Sequence, residues 1–299
     1  MTSLEDKLIS WTGPSSATEQ DKQDRTERMV SEAVRTHPGL KDCTFTVYTK
    51  GSYPNRTNVK ADSDVDVAVQ CSDVFYWDAA EPGAKRSTTT PYTGVWTPSK
   101  LRTEVLLALE QKFPGQVDAS GSTAIKVNSS TARVDADVLP CFDYRYYLSS
   151  GAIREGARAF KTNGNAITNY PEQQLKKGIA KNEASATRFK KAVRVLKRIE
   201  NAMVEDSLMD ELPSYFMECL VYNVPNSILT RAAWVEVVRG ILGHIYVSLE
   251  GPEPEEESVR WLEVNECKFL FHQAQKWSRA DGRALAQSAW SYLGYPNPT

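Results

Sequence analysis

The spacing of apolar positions changes period near the middle of the chain. In the first half, short alternating runs stand between helical segments. Residues 18–36 (TEQDKQDRTERMVSEAVRT) are charged and helix-favouring, with Met29, Val30 and Val34 on one face, and His37-Pro38-Gly39 ends the helix. TFTVYTK (44–50) and DVDVAVQ (64–70) alternate and predict two strands, joined by a turn-rich loop with Pro54 and Asn55. Residues 71–98, rich in Gly, Pro, Thr and aromatics, predict a surface insertion. KLRTEVLLALEQKF (100–113) predicts a helix closed by Pro114-Gly115, and TAIKVN (123–128) and ARVDADVLPCF (132–142) predict two more strands around an Asn-Ser-Ser turn. Past residue 150 helical spacing dominates: 184–203, 214–223, 227–249, a stretch near 258–277, and 279–293, with GPEPEEESV (251–259) as an acidic connector. A β-rich half followed by a helical half predicts an α+β fold. Its division is expected at residues 1–150, a catalytic core, and 151–299, a helical nucleotide-binding lobe, with the N-terminal helix packing across both.

Composition narrows this only a little. With 41% apolar and 25% charged residues and a formal charge of −2, the chain reads as a soluble protein with no bulk pull towards nucleic acid or membrane. Neither a signal sequence nor an 18-residue apolar run is visible, so a cytoplasmic location without a membrane span is expected. The five cysteines (Cys43, Cys71, Cys141, Cys219, Cys267) are scattered without a CxxC, which fits unpaired thiols and not a zinc site. His37, His244 and His272 are isolated and read as structural, no Ser-His-Asp or Cys-His triad suggests itself, and no GxxxxGK phosphate loop is present.

The candidate chemistry lies in carboxylates. Asp64 and Asp66, two apart on a predicted strand, project to one face about 7 Å apart by a rise of ~3.3 Å per residue. Such a pair repels unless solvated or neutralised by divalent cations, and hard oxygen ligands suit magnesium. A third carboxylate from a neighbouring strand would complete a two-metal site, and RVDADVLP offers Asp135 and Asp137, of which Asp137, beside Val138-Leu139, is the better candidate. DxD on a strand also reads as a solvated edge, but here a second DxD follows on another predicted strand. Gly51-Ser52, directly after a strand and twelve and fourteen residues before the carboxylate pair, lets backbone amides approach an anion, and Ser52 adds a hydroxyl donor.

GSYPNRTNVKADSDVDVAV resembles the GS…SDxDxxV signature of the polymerase-β-like nucleotidyltransferases, and DVLPCFDYR resembles the segment carrying their third metal aspartate. LPSYFMECLVYNVPN resembles a helix shared by oligoadenylate synthetases, cGAS and bacterial relatives. The order covers roughly residues 10–225 and is most similar to the bacterial cGAS/DncV-like nucleotidyltransferases (CD-NTases), clade E. The resemblance implies a polymerase-β-like core with a helical lobe. It implies two Mg²⁺ ions on Asp64, Asp66 and Asp137, for which Mn²⁺ can substitute, and an in-line attack of a ribose hydroxyl on an α-phosphate. It further implies a cyclic dinucleotide made from nucleoside triphosphates, UTP and ATP among them, as a second messenger of anti-phage (CBASS) defence, read by a separate effector. A monomer that needs no nucleic acid is expected.

By the same resemblance Lys197, on a helix whose Lys190, Arg194 and Lys197 share a face, contacts donor phosphates, Ser214 touches the triphosphate and Tyr215 stacks on a base. The residues themselves leave other readings open: a solvated basic face, an N-cap at Ser214 and a core Tyr215. Asn169 in TNYPEQQ offers a donor and an acceptor to a uracil edge, as an asparagine does in some clade E enzymes; Asn163 and Asn165 compete, and a turn role is equally open. Three competing functions share much of this pattern: a linear-oligonucleotide or RNA-tailing enzyme, a nucleotidylyltransferase acting on a small molecule or protein, and a silent nucleotide-binding module.

Overall fold

The alternating runs do become neighbouring strands, and what they leave out is as informative as what they include. The computed structural model describes residues 3–59, 64–84 and 90–296. The chain forms two compact units, one of residues 15–54 with 64–84 and 90–172 and one of 3–14, 55–59 and 173–296. Helix α1 (Leu4–Ser10) belongs to the second.

In the sheet unit, α2 (Ala17–Thr36) starts at a capping box, Ser16 with Glu19, which satisfies two end amides of the helix. Strand β1 (Phe45–Lys50), the short helix α3 (Ser52–Asn55), whose last residue groups with the helical unit, and β2 (Val65–Ala79) follow. After α4 (Pro98–Lys112) come β3 (Val117–Asp118), β4 (Ile125–Val127), β5 (Ala136–Tyr147), β6 (Ile153–Phe160) and β7 (Ala166–Asn169). The seven-stranded sheet runs β1-β2-β5-β4-β3, with β6 joining β5 to β7. Strand β2 pairs parallel with β5 along one edge, while the first part of β5 pairs antiparallel with β4 and the rest with β6. Val65, Val67 and Val69 pack with Val30 and Val34 of α2 and Leu101, Val105 and Leu109 of α4 into one core, all fully buried.

Two differences from the expected elements lie here. Residues 71–79, expected in an irregular insertion, continue β2: a register shift between Cys71 and Phe75 breaks the alternation that would have announced a strand. Strands β6 and β7 lie past residue 150, where composition had turned helical, and still belong to the sheet.

In the helical unit, α5 (Pro171–Ala184), whose first two residues group with the sheet unit, is followed by α6 (Phe189–Glu205). Ala186 and Thr187 between them have positive φ, so the helix expected to start at 184 begins later. Next come α7 (Ser214–Tyr222), α8 (Asn226–Leu229), α9 (Trp234–Ser248) and α10 (Arg279–Tyr292). The helix expected over 227–249 is therefore two, α8 and α9. The helix expected near 258–277 is absent: after a 3₁₀ turn at Glu257–Val259, Leu262 pairs with Phe269 in an isolated bridge. The Asn223 side chain explains this, since its amide donates to the Leu262 carbonyl and its oxygen accepts from the Leu262 N–H, meeting backbone needs that a helix would otherwise meet. Among the described residues no helix is long and apolar enough to cross a membrane.

Candidate active site

Alternation along β2 sends Val65, Val67 and Val69 into the core and leaves Asp66, Ala68 and Gln70 on the opposite face. The register then builds one row across four strands. Lys50 stands opposite Asp66, Asp66 beside Asp137, and Asp137 opposite Lys126 of β4. Two adjacent carboxylates are thus flanked by a cation on each side. Lys50 Nζ lies 2.9 Å from Asp66 Oδ1, and Lys126 Nζ lies 2.8 Å from Asp135 Oδ2 and 3.9 Å from Asp64 Oδ2. Asp64 sits one residue before β2, where the Val65 N–H donates to the Asp135 carbonyl at 2.9 Å.

The charges of the trio reinforce one another. Burial, then Asp64 and Asp66, pushes the Asp137 carboxyl up. Burial also pushes Asp64 up, with Lys126 opposing and Asp135 and Asp66 adding to the rise. Asp135 behaves differently: burial would raise it, but hydrogen bonds from Lys126 and Ser129 hold it low. Asp135 is thus committed to Lys126 and the turn at Ser129, which leaves Asp137 as the carboxylate beside Asp66. Three mutually repelling oxygen donors fit hard divalent cations.

A stability prediction follows from these directions. A carboxyl raised in the folded state keeps its proton more tightly than in the unfolded chain. Its contribution is therefore fully present below the unfolded pKa and is lost as pH rises through the folded pKa. Asp137→Asn is expected to melt higher than the wild type at neutral pH in chelator, with the difference shrinking below the carboxylate range. A thermal melt series over pH checks it.

Gly51 carries φ +75°, and a Cβ there would fall 2.8 Å from Asp66 Oδ2, so this position needs glycine both for its backbone and for its approach to the carboxylate. Ser52 opens α3 and is half-buried. Residues 60–63, which complete the signature before Asp64, lie outside the described residues. Asn169 ends β7, paired with Ala157, which pairs with Asp143 on β5; it shares this row with Asp143 and not with Asp137. Asn163 accepts from the Asn165 N–H at 3.1 Å and is used by the β6–β7 turn. Sequence pattern did not single out Lys50 or Lys126, although each stands on a predicted strand and Lys50 directly precedes Gly51. Nor did it mark Gln70, which accepts from the Tyr48 hydroxyl at 2.5 Å and donates to Asp143 at 2.7 Å on the carboxylate face.

In the helical unit, Lys197 of α6 is 2% exposed and makes no ion pair among the described residues. Burial pushes its ammonium down, with Glu218, Cys219 and Glu200 opposing. Its nearest acidic neighbours are already engaged. Glu218 accepts from Thr57 at 2.8 Å and Gln174 at 3.1 Å, and Glu200 accepts from the Leu212 N–H at 2.9 Å. Arg194 is spent on the carbonyls of Thr12 and Arg56, and burial pushes it down to about 10. Lys190 is half-buried. Ser214 is not an N-cap: Pro213 holds that place without a side-chain bond, and Ser214 is the exposed first residue of α7. The half-buried Tyr215 lies edge-on to Trp277, with its hydroxyl accepting from Asn265 at 3.2 Å and donating to Glu263 at 3.4 Å.

The family profile described as "cGAS/DncV-like nucleotidyltransferase C-terminal helical domain" matches residues 176–294. The cyclic dipyrimidine nucleotide synthase CdnE of Cecembia lonarensis is 34% identical over 97% of this chain and 98% of its own. The chain belongs to the cGAS/DncV-like nucleotidyltransferases. The cyclic dipurine nucleotide synthase of Elizabethkingia meningoseptica is 30% identical over 99% of this chain and 100% of its own. A solved structure of the Elizabethkingia meningoseptica CdnE cyclic dinucleotide synthase with GTP and Apcpp matches with a TM-score of 0.81 at 28% identity, covering 99% of this chain and 100% of that one. In this nucleotidyltransferase, as in its relatives, a mixed sheet with a polymerase-β-like core is joined to a helical domain.

Proposed function

We propose that this nucleotidyltransferase joins two ribonucleoside triphosphates into a cyclic dinucleotide, with UTP as at least one substrate and ATP as a suitable partner. The observation that carries the chemistry is the register pair Asp66–Asp137, with Asp64 two residues before Asp66. The likeness to a cyclic dipyrimidine synthase over nearly the whole chain supports the pyrimidine. We assign catalysis to the sheet unit and nucleotide binding to the helical unit. Asp64, Asp66 and Asp137 would hold two Mg²⁺ ions, or Mn²⁺ in their place; bound there, they supply Lewis acidity to the attacking ribose hydroxyl and to the departing pyrophosphate.

The chain's own groups do the rest. Asp137, with its raised affinity for protons, is placed to accept the proton of the attacking hydroxyl. The Gly51 amide and the Ser52 hydroxyl donate to phosphate oxygens. Lys197, a buried ammonium without an ion pair among the described residues, supplies charge to a triphosphate, and Ser214 adds the open end of α7. Tyr215, held by Asn265 and Glu263, offers its ring to a base. Asn169 stands on the row of Asp143, six residues beyond Asp137, which suits a contact with the base more than with the phosphates. The product serves as a second messenger in anti-phage defence, made in the cytoplasm by a monomer and read by a separate effector.

Every pairing of the four labelled triphosphates with Mg²⁺ tests the base assignment. A phosphatase-resistant product that requires UTP supports it. A product from purines alone, as the name of the 30%-identical relative would suggest for that enzyme, overturns it. Asn169→Ala is expected to lower kcat/KM for UTP about 10- to 100-fold, the worth of roughly 1–3 kcal/mol from an unpaired base edge, with a smaller effect on ATP. Competition between the two triphosphates in one reaction checks it.

A further inference from the structure

Cys43 and Cys71 are 28 residues apart in sequence, and folding brings their sulfurs to 3.5 Å. Cys43 lies just before β1, and Cys71 pairs with Phe45 on β2. Both are buried, at 8% and 0% exposure, yet Ser72 and Asp73 directly after Cys71 are exposed, so the pair lies one residue beneath the surface. The register shift that follows Cys71 turns backbone amides towards its sulfur: the N–H groups of Asp73 and Val74 both reach it, together with the Cys43 thiol. Three donors on one sulfur favour its thiolate. Burial works against this, as does the Asp73 carboxylate, close enough to share a three-ligand cluster with both sulfurs, but the hydrogen bonds prevail and the Cys71 thiol is held below its ordinary value.

We propose that Cys43 and Cys71 form a thiol pair that small peroxides oxidise to a reversible disulfide, stapling β1 to β2. The Cys71 thiolate attacks one peroxide oxygen. The O–O bond breaks, one oxygen leaves as hydroxide that takes up a proton to give water, and Cys71 becomes a sulfenic acid. The Cys43 sulfur then attacks the Cys71 sulfur and expels the second oxygen as water, which carries off the Cys43 proton. Two thiols lose two electrons and two protons, and one peroxide becomes two waters. The pair lies at the end of the β1–β2 ladder opposite the Lys50–Asp66 row, so the disulfide fastens the strands without entering the carboxylate site. Cys141 and Cys219 are buried, and Cys267 is the most accessible thiol.

The native protein is treated with graded hydrogen peroxide, quenched in acid, alkylated after denaturation and mapped by peptide mass spectrometry. The expected result is a Cys43–Cys71 cross-linked peptide, lighter by two hydrogens, that disappears on reduction. The oxidised protein is expected to melt higher by on the order of 5 °C, from closing a loop of this length. Cys43→Ser should abolish both the cross-link and the shift while leaving nucleotide turnover unchanged. Recovery of both residues as free thiols while Cys267 is consumed overturns the proposal, as does oxidation of Cys71 to the sulfinic acid without cross-linking. Mapping on the wild-type chain decides the matter even if a variant fails to fold.

Discussion

Asp66→Ala is expected to lower turnover by roughly a thousandfold or more, about 4 kcal/mol of lost transition-state stabilisation at a two-metal site. The register explains why this residue should be so sensitive. Asp66 is one of the two inner members of the row, between Lys50 on one strand and Asp137 on the next, and Gly51 comes up against it. Its loss removes a carboxylate for which Asp135 cannot stand in, since Asp135 is committed to Lys126 and Ser129. The fold should survive, because Asp66 is on the open face and the valines on either side of it carry the core. A rate assay alongside a thermal melt checks both halves: turnover collapses and the melting temperature stays near that of the wild type. Full turnover in this variant would remove the aspartates from the reaction.

Lys197→Met should separate binding from stability in the opposite sense. An ammonium 2% exposed and without an ion pair among the described residues carries a desolvation cost that Glu218 and Glu200 offset only in part. Because its pKa is depressed in the folded state, the unfolded chain holds the proton more tightly. Its contribution is therefore present above the unfolded lysine pKa and is lost as pH falls through the folded pKa, so burying this lysine weakens the fold at neutral pH. A methionine of similar length removes that cost, and the melting temperature should hold or rise. Triphosphate binding should suffer, with kcat/KM falling about 100-fold for the loss of a charge-assisted contact worth roughly 3 kcal/mol. Melting curves with and without nucleotide make the contrast sharp: the wild type gains stability on adding a triphosphate, and the variant does not. A variant that melts far lower and binds nucleotide normally would make Lys197 a structural residue.

The fold is legible in the sequence wherever one face of an element is buried. Val65, Val67 and Val69 alternate because one side of β2 packs on α2 and α4, and the same alternation by itself puts Asp66 on the other side. Which of Asp135 and Asp137 neighbours Asp66 depends on register, a pairing across about 70 residues that no local pattern encodes; apolar flanks point to Asp137, and the pairing agrees. The cations of the row carry no such signal, since a lysine on a strand gains meaning only from what stands opposite. Elements escape the pattern where local spacing and long-range pairing disagree. The register shift after Cys71 hides the second half of β2, and the Asn223 amide holds Leu262 in an isolated bridge within a segment that apolar spacing reads as helix. Ser214 departs more subtly: a serine before an apolar run suggests a cap, but Pro213 takes the cap position and leaves the hydroxyl exposed.

Pyrophosphate release measured against nucleotide consumed tests the cyclising reaction most directly. Closing a ring from nucleoside triphosphates frees one pyrophosphate for every nucleotide incorporated, whereas a linear product keeps one triphosphate on its first nucleotide. A ratio of one is expected for UTP with its partner nucleotide. A ratio of one half, with a product that phosphatase trims, would make this chain a linear dinucleotide synthetase and contradict the cyclic product.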